Sequence, residues 1–281
     1  MRATRNPHSM SKRFNTGETE EELRKKYAPE GSVRRAVQER LLDMLLYIDK
    51  ACKDAGIPYR LEGGNVLGAL RHGGFIPWDD DIDLAIEKKH YKKLYNYLKA
   101  HPHPQYVLQS HETDKCFLRF WFTLRDTNSE YIHKHPNAFN DTFKYRGLQV
   151  DLFCMHPRQI PWLYSIASII YRYTVPRLTP KSYLLAKFCF DLQRYLLHPL
   201  FYGISYLFGD SQQYMHAYGT PFKYIFPKEV VLPYKEMTFE GHSFPGPAQP
   251  EKYCVAHYGN HFMDLPAIED RHHHDVDYII R

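Results

Sequence analysis

Cysteine is scarce and carries no pairing pattern. Cys52, Cys116, Cys154, Cys189 and Cys254 are odd in number, dispersed, and contain no C-x-x-C. That spacing argues against a disulfide scaffold or a structural zinc site, and it points to a reducing, cytoplasmic setting. No apolar run approaches the roughly 18 residues that a membrane-spanning helix needs. The basic start of the chain (Arg2, Arg5, Lys12, Arg13) is not followed by an apolar stretch, so no secretory leader is expected, and Met10 is an alternative start. There is no G-x-x-x-x-G-K-[ST], which excludes a P-loop enzyme. Charge of one sign is not in great excess. The net charge of +5 suits anionic substrates or an anionic membrane surface, but it falls short of the balance of a dedicated nucleic-acid binder, and no nucleic-acid partner is expected.

Aromatic residues are abundant, with 23 Tyr and 17 Phe, and 43% of the 281 residues are hydrophobic, enough to bury a substantial core. Against this background the run Trp78-Asp79-Asp80-Asp81-Ile82-Asp83 stands out. A strand over 79–86 would put Asp79, Asp81 and Asp83 on one face, about 6–7 Å apart. Two carboxylates at such a distance repel by about 3 kcal/mol at an effective dielectric near 20. A divalent cation turns that repulsion into attraction, and Mg²⁺ is the one that shares its shell with substrate phosphates. An EF-hand register fails, because its glycine position is Leu84 and its final glutamate position is His90. A solvated acidic turn fits poorly too, since Asp81 and Asp83 lead straight into the apolar Leu84-Ala85-Ile86. Asp79 is a candidate helper, and Asp80 is expected to face away. Asp151, a single acid inside the apolar strand pattern of 147–153, is the candidate third ligand, because an unpaired charge there would be costly. Gly63-Gly64, between a strand and a short helix, can bring backbone amides close to a phosphate. Arg71, His72, Arg119 and Arg125 are candidate phosphate contacts, arginine being suited to bidentate recognition.

Periodicity places a helix between Ser32, as N-cap, and Gly56, as stop. A short strand over 57–61, a brief helix over 66–71, the acidic strand over 79–86 and a helix over 88–100 follow. Strands are expected over 106–109, 117–124 and 147–153. This order gives an α+β fold, a mixed sheet with flanking helices. The expected units are an N-terminal arm (1–31), a catalytic core (32–156), an aromatic-rich helical insertion (157–226) interrupted by Pro176, Pro180, Pro199 and Gly203, and a strand-and-loop segment (227–281) packing back on the core. The insertion reads either as a helical lid or as a surface resting on a membrane. His272, His273 and His274 cannot all face one point on a regular element, so a surface or substrate-side role is expected for them rather than a zinc site.

The segment Arg60-Leu61-Glu62-Gly63-Gly64-Asn65-Val66-Leu67-Gly68, continued through Gly73-Gly74-Phe75-Ile76-Pro77-Trp78 to Asp83, resembles the signature of the LicD family of phosphocholine and fukutin-related transferases. The match continues at 106–109, 124–126 and 147–153, a weaker one follows at 258–273, and 157–226 shows no clear match. The resemblance implies a polymerase-β-like nucleotidyltransferase core. It implies that Asp81, Asp83 and Asp151 bind Mg²⁺ (or Mn²⁺), and that Gly63 and Gly64 form the phosphate-contacting turn. Asn65 stands where the family usually carries Thr or Ser, and it can still donate a hydrogen bond. The implied reaction is transfer of phosphocholine or an alditol phosphate from a CDP-linked or similar nucleoside-diphosphate-linked donor to a glycan or glycolipid hydroxyl. Nucleotidyl transfer from an NTP, and a non-catalytic glycan- or membrane-binding role, are the alternatives.

Overall fold

The computed structural model describes residues 13–133, 137–271 and 276–281. Helix α1 (Glu20–Tyr27) starts from a capping box between Thr19 and Glu22. Helix α2 (Val33–Ala55) is capped by Ser32, whose hydroxyl accepts from the Arg35 N–H at 3.1 Å, and it ends at Gly56, as the periodicity predicts. Then come β1 (Arg60–Leu61), α3 (Gly63–Arg71), β2 (Ile82–Glu87), α4 (Lys88–Ala100), β3 (Tyr106–Gln109), β4 (Phe122–Asp126), β5 (Ser129–His133) and β6 (Gln149–Pro157). The aromatic segment forms α5 (Pro161–Leu178), α6 (Tyr183–Leu192) and α7 (His198–Phe208), with a π-helical turn over Gln193–Leu197 between the last two. The chain closes with β7 (Gln213–His216), β8 (Phe226–Pro227), α8 (Lys228–Val231), β9 (Lys235–Phe239), β10 (His242–Gly246), α9 (Pro250–Tyr258) and β11 (Val276–Ile280).

The fold is α+β, built on one mixed sheet in the order β1–β2–β6–β4–β3, with β7 continuing along β6 and β8 on β7. β2 and β6 are parallel, and their neighbours are antiparallel. Alternation assigns the two faces. Leu84 and Ile86 of β2, Val150 and Leu152 of β6 and Leu124 of β4 are buried in one cluster with Leu41, Leu45 and Ile48 of α2 and Leu94 and Leu98 of α4. Each such side chain contributes about 1.5–3 kcal/mol on burial, so this face fixes the register of all three strands. The intervening residues Asp83, Asp151 and Thr123 are thereby forced onto the other face.

Several boundaries differ from expectation. β2 begins at Ile82, so Asp79 and Asp81 lie on the loop entering the strand rather than on it. β4 begins at Phe122, because residues 114–119 form local turns, with Phe117 N–H bonded to Asp114 O and Arg119 N–H to Phe117 O. Helix α3 starts at Gly63 and so absorbs both glycines into its first turn. Pro176 and Gly203 lie inside α5 and α7 and do not interrupt them. The π-helical turn directly precedes Pro199, whose ring lacks the N–H that a regular helix would use there. The 157–226 segment is not wholly helical, since β7 and β8 extend the main sheet. The C-terminal segment includes α9, which opens on Pro250 in its first turn, where proline is tolerated. The His272–His274 run lies outside the described residues.

Candidate active site

The parallel pairing of β2 and β6 sets Asp83 opposite Asp151. The antiparallel pairing of β4 and β6 sets Thr123 opposite Asp151 and Arg125 opposite Gln149. Residues paired in this way share a face, so one patch of sheet carries two carboxylates, a hydroxyl, an amide and a guanidinium. It forms the floor of a cleft of about 720 Å³ that Gly63, Gly64, Asp79, Asp81, Arg119 and Arg146 also line, together with the rings of Trp78, Trp121, Phe153, Phe222 and Tyr258. Both oxygens of Asp151 are held: Thr123 Oγ1 donates to Oδ1, and Gln149 Nε2 donates to Oδ2 at 3.1 Å.

Asn65 is buried and does not line the cleft. Its Oδ1 accepts from the Asp83 N–H at 2.7 Å, and its Nδ2 donates to the Asp81 carbonyl at 3.2 Å. The residue expected to meet a phosphate instead clamps the backbone on both sides of Ile82 and so aims Asp81 and Asp83. Asp80 is fully buried, 3.6 Å from Arg34, and turned away from the cleft, as expected. Burial, reinforced by the charges of Asp81, Asp151, Glu62 and Asp79, pushes the Asp83 carboxyl well above the usual carboxylate range. That is the electrostatic mark of a site short of positive charge.

A divalent cation fits that deficit chemically. Among the described residues, no three His, Cys, Asp or Glu side chains gather closely enough to form a ready cage. An oxygen-only, open donor set of this kind suits Mg²⁺, which keeps several waters and is usually held by one or two carboxylates plus substrate phosphates. Asp81, Asp83 and Asp151 are the residues that would hold it.

The arginines divide. Arg125 is buried beside the carboxylates, with Nε donating to Gln109 Oε1 at 2.7 Å and Nη1 to the Gly147 carbonyl at 2.8 Å. Burial and Arg119 lower its pKa to about 10, still cationic at neutral pH. Arg119 lies within 5.0 Å of the rings of Trp121 and Phe143 and donates to Asn140 Oδ1 at 2.8 Å. Arg71 is placed away from the cleft: its Nη1 donates to the carbonyls of Phe262 and Asp264, both at 3.0 Å, anchoring the C-terminal segment. His72 is buried against Glu20, also off the site.

The glycines are partly committed. Gly63 has φ 54°, which favours glycine, and its N–H donates to Tyr253 Oη at 2.9 Å, so this amide is engaged within the protein. Gly64 borders the cleft, and a Cβ there would sit 3.0 Å from Asp79 Oδ2. Behind these glycines lies a buried network that the sequence reading missed. Arg60 and Glu62 form an ion pair at 2.6 Å, too bent to count as a hydrogen bond. Tyr253 Oη donates to Glu62 Oε1, and His216 Nε2 is 3.5 Å from the same oxygen. Burial opposes the Glu62 charge, but Arg60 and His216 outweigh it and hold its pKa down to about 2. The charged–apolar–charged alternation at Arg60-Leu61-Glu62 was a readable signal. Tyr253, on α9, gave none, because the prolines of that region suggested loops.

Fold and cleft together define an α+β protein with an acidic, arginine-rimmed cleft on a mixed sheet. The chain belongs to the LicD family: the family described as LicD/FKTN/FKRP, nucleotidyltransferase domain, matches residues 56–195, about half of the chain. The match runs well into the stretch after residue 157, where the sequence alone had shown no resemblance. The lipopolysaccharide cholinephosphotransferase LicD of Haemophilus influenzae is 28% identical over 261 residues, covering 85% of this chain and 95% of that protein. The human ribitol 5-phosphate transferase FKRP is 55% identical over 40 residues, 14% of this chain and 8% of that protein. The mouse ribitol-5-phosphate transferase FKTN is 38% identical over 55 residues, 20% and 12% respectively.

Proposed function

We propose that this chain is a Mg²⁺-dependent phosphotransferase that moves a substituted phosphate from a nucleoside-diphosphate-linked donor, such as CDP-choline or a CDP-alditol, to a hydroxyl of a cell-surface glycan. The observation that carries the reading is the in-register pair Asp83 and Asp151, facing a cleft that Arg119, Arg125 and Arg146 also line. The relatives' names support it: one acts as a cholinephosphotransferase, others as ribitol-phosphate transferases.

When bound, the metal neutralises charge on the donor oxygens and makes phosphorus more electrophilic. Asp81, Asp83 and Asp151 would hold it, while Arg119 and Arg125 line the cleft where the remaining phosphate charge would lie. The acceptor oxygen forms a bond to the phosphorus bearing the transferred group as the bond from that phosphorus to the nucleoside monophosphate oxygen breaks. Asp79 or Asp151 takes the acceptor proton. Phosphocholine is favoured as the transferred group. The rings of Trp78, Trp121, Phe222 and Tyr258 line the cleft, and aromatic faces turned to a cleft attract a quaternary ammonium. A thermal-shift screen tests donor choice. With Mg²⁺, CDP-choline at about 100 times its dissociation constant is expected to stabilise the protein by about 2.7 kcal/mol, with less from UDP- or GDP-linked donors. No Mg²⁺-dependent shift with any CDP-linked compound would sink the donor assignment.

Peripheral membrane contact belongs to the same proposal. Among the described residues no helix is long and apolar enough to cross a membrane. Yet 14 of the 21 exposed large hydrophobic side chains among the described residues fall in 161–208. Leu184, Phe188, Leu192, Leu196 and Leu200 recur every fourth residue there, all exposed. The same segment has five Lys or Arg and a single Asp, which suits an anionic lipid surface. In flotation assays the protein is expected to rise with anionic vesicles and to stay down with phosphatidylcholine alone. A Leu184→Asp/Phe188→Asp variant that floats as well as wild type would contradict this contact.

A further inference from the structure

A second cavity, of about 620 Å³, lies between α4, β4 and the π-helical turn with the start of α7. It is separate from the acidic floor, yet Arg119 and Trp121 line both cavities, so the two share a wall. Its chemistry is the reverse of the cleft's. Lys88, Lys92, Lys99 and Arg194 line it, against one acid, Glu112. That acid is already engaged by Lys99 at 3.6 Å and by Tyr95 Oη at 2.9 Å. Among the described residues Lys88, Lys92 and Arg194 form no ion pair. Lys88 and Arg194 rest only over the rings of Tyr202 and Tyr195. His198, 5% exposed and packed 4.4 Å from Phe120, also lines the cavity, and its Nε2 has no hydrogen-bond partner. Burial and Arg194 push the His198 pKa down to about 4, so the ring is neutral at pH 7 and able to donate from one nitrogen. The helical irregularity just before Pro199 contributes Arg194 and Tyr195 to the wall, and such π turns recur at functional sites. Tyr195 of the wall is 69% exposed, and Leu196 and Leu200, its near neighbours in sequence, are 62% and 57% exposed and belong to the face assigned above to the membrane.

We propose that this cavity binds the phosphate or diphosphate group of a lipid-linked glycan acceptor, with the lipid on the exposed face around Tyr195 and the glycan passing Arg119 and Trp121 toward the cleft. The acceptor role rests on the transferase reading above, but the binding does not. Unpaired cations without a metal and an unpartnered buried imidazole are a receptor for phosphate oxygens. The neighbouring apolar face favours a ligand whose anionic head carries a hydrocarbon tail.

Isothermal titration in EDTA, without donor or vesicles, tests the site with two probes, inorganic pyrophosphate and farnesyl diphosphate. Both are expected to bind saturably, the farnesyl compound about tenfold tighter or more. Lys92→Glu/Arg194→Glu is expected to weaken both by about tenfold or more, and Asp83→Asn to leave both unchanged. Should the Arg194 substitution impair folding, Lys88→Glu/Lys92→Glu, on the exposed side of α4, gives the same reading. The proposal is overturned if neither probe binds, if the charge-reversed variants bind as wild type, if Asp83→Asn abolishes binding, or if the two probes bind equally. Loss of probe binding alongside intact donor transfer would remove the cavity assignment and leave the transferase reading standing.

Discussion

Asp83→Asn is expected to reduce transfer by about 10²–10⁴-fold and to raise, not lower, the melting temperature. The two effects have one cause. Asp83 sits in register with Asp151 and two residues from Asp81, and its carboxyl is held well above its ordinary range by burial and by those neighbours. Without a cation its charge is a liability. Relieving one like-charge contact of the kind described above is worth up to about 3 kcal/mol, and each 1 kcal/mol is about 2–4 °C in a chain somewhat smaller than this one. Asp80→Asn is the contrasting variant. Asp80 is the same residue type three positions away, but it is fully buried beside Arg34 and outside the cleft. Its substitution is expected to cost about 1–3 kcal/mol of stability and to leave the specific activity of the folded fraction near wild type. Calorimetry and initial rates on the same preparations check both. A fall in stability for Asp83→Asn with activity retained would remove the carboxylate from the chemistry.

Glu62→Ala is expected to destabilise the fold by about 3–5 kcal/mol, the scale seen when one partner of a buried ion pair is removed. Arg60 is 1% exposed and would keep its charge with no carboxylate. Tyr253 would lose the oxygen that orients its hydroxyl toward the Gly63 amide, so the first turn of α3 should loosen as well. The pH dependence has a definite sign. The folded pKa of Glu62 is lowered from 4.5 to about 2. Its contribution is therefore fully present above about pH 4.5 and is lost as pH falls toward 2. Between those limits the stability gap between wild type and Glu62→Gln should narrow. Denaturant titrations across pH 2–6 measure it, and a gap that stays constant or widens on acidification would exclude the ion-pair account.

The legible parts of this chain were those fixed by local rules. Ser32, Gly56 and the apolar spacing between them set α2 almost to the residue, and Lys88–Ala100 followed from the same periodicity. Asp83 and Asp151 were separable from their surroundings because each is an acid within a strongly apolar strand, and the sheet register then makes them neighbours. What failed to show was set by distant partners. Asn65 and Arg71 had the right chemistry for a phosphate, but the backbone of the acidic loop and the carbonyls of Phe262 and Asp264 claim them first. The pairing of β5 with β11 joins residues more than 140 positions apart, and no periodicity carries that information. Tyr253 and His216 meet Glu62 only through the tertiary fold. The cationic cavity was hidden for the same reason, since α4 and the π-helical turn read separately as ordinary basic, aromatic helices.

The most direct measurement uses CDP-choline labelled with ³²P at the choline-bearing phosphorus and with ³H in the base, incubated with Mg²⁺ and a lipopolysaccharide acceptor. The account predicts ³²P on the glycan, ³H in released CMP, and neither transfer in EDTA nor with Asp83→Asn. Base label on the acceptor, or ³²P transfer by Asp83→Asn at the wild-type rate, would contradict it.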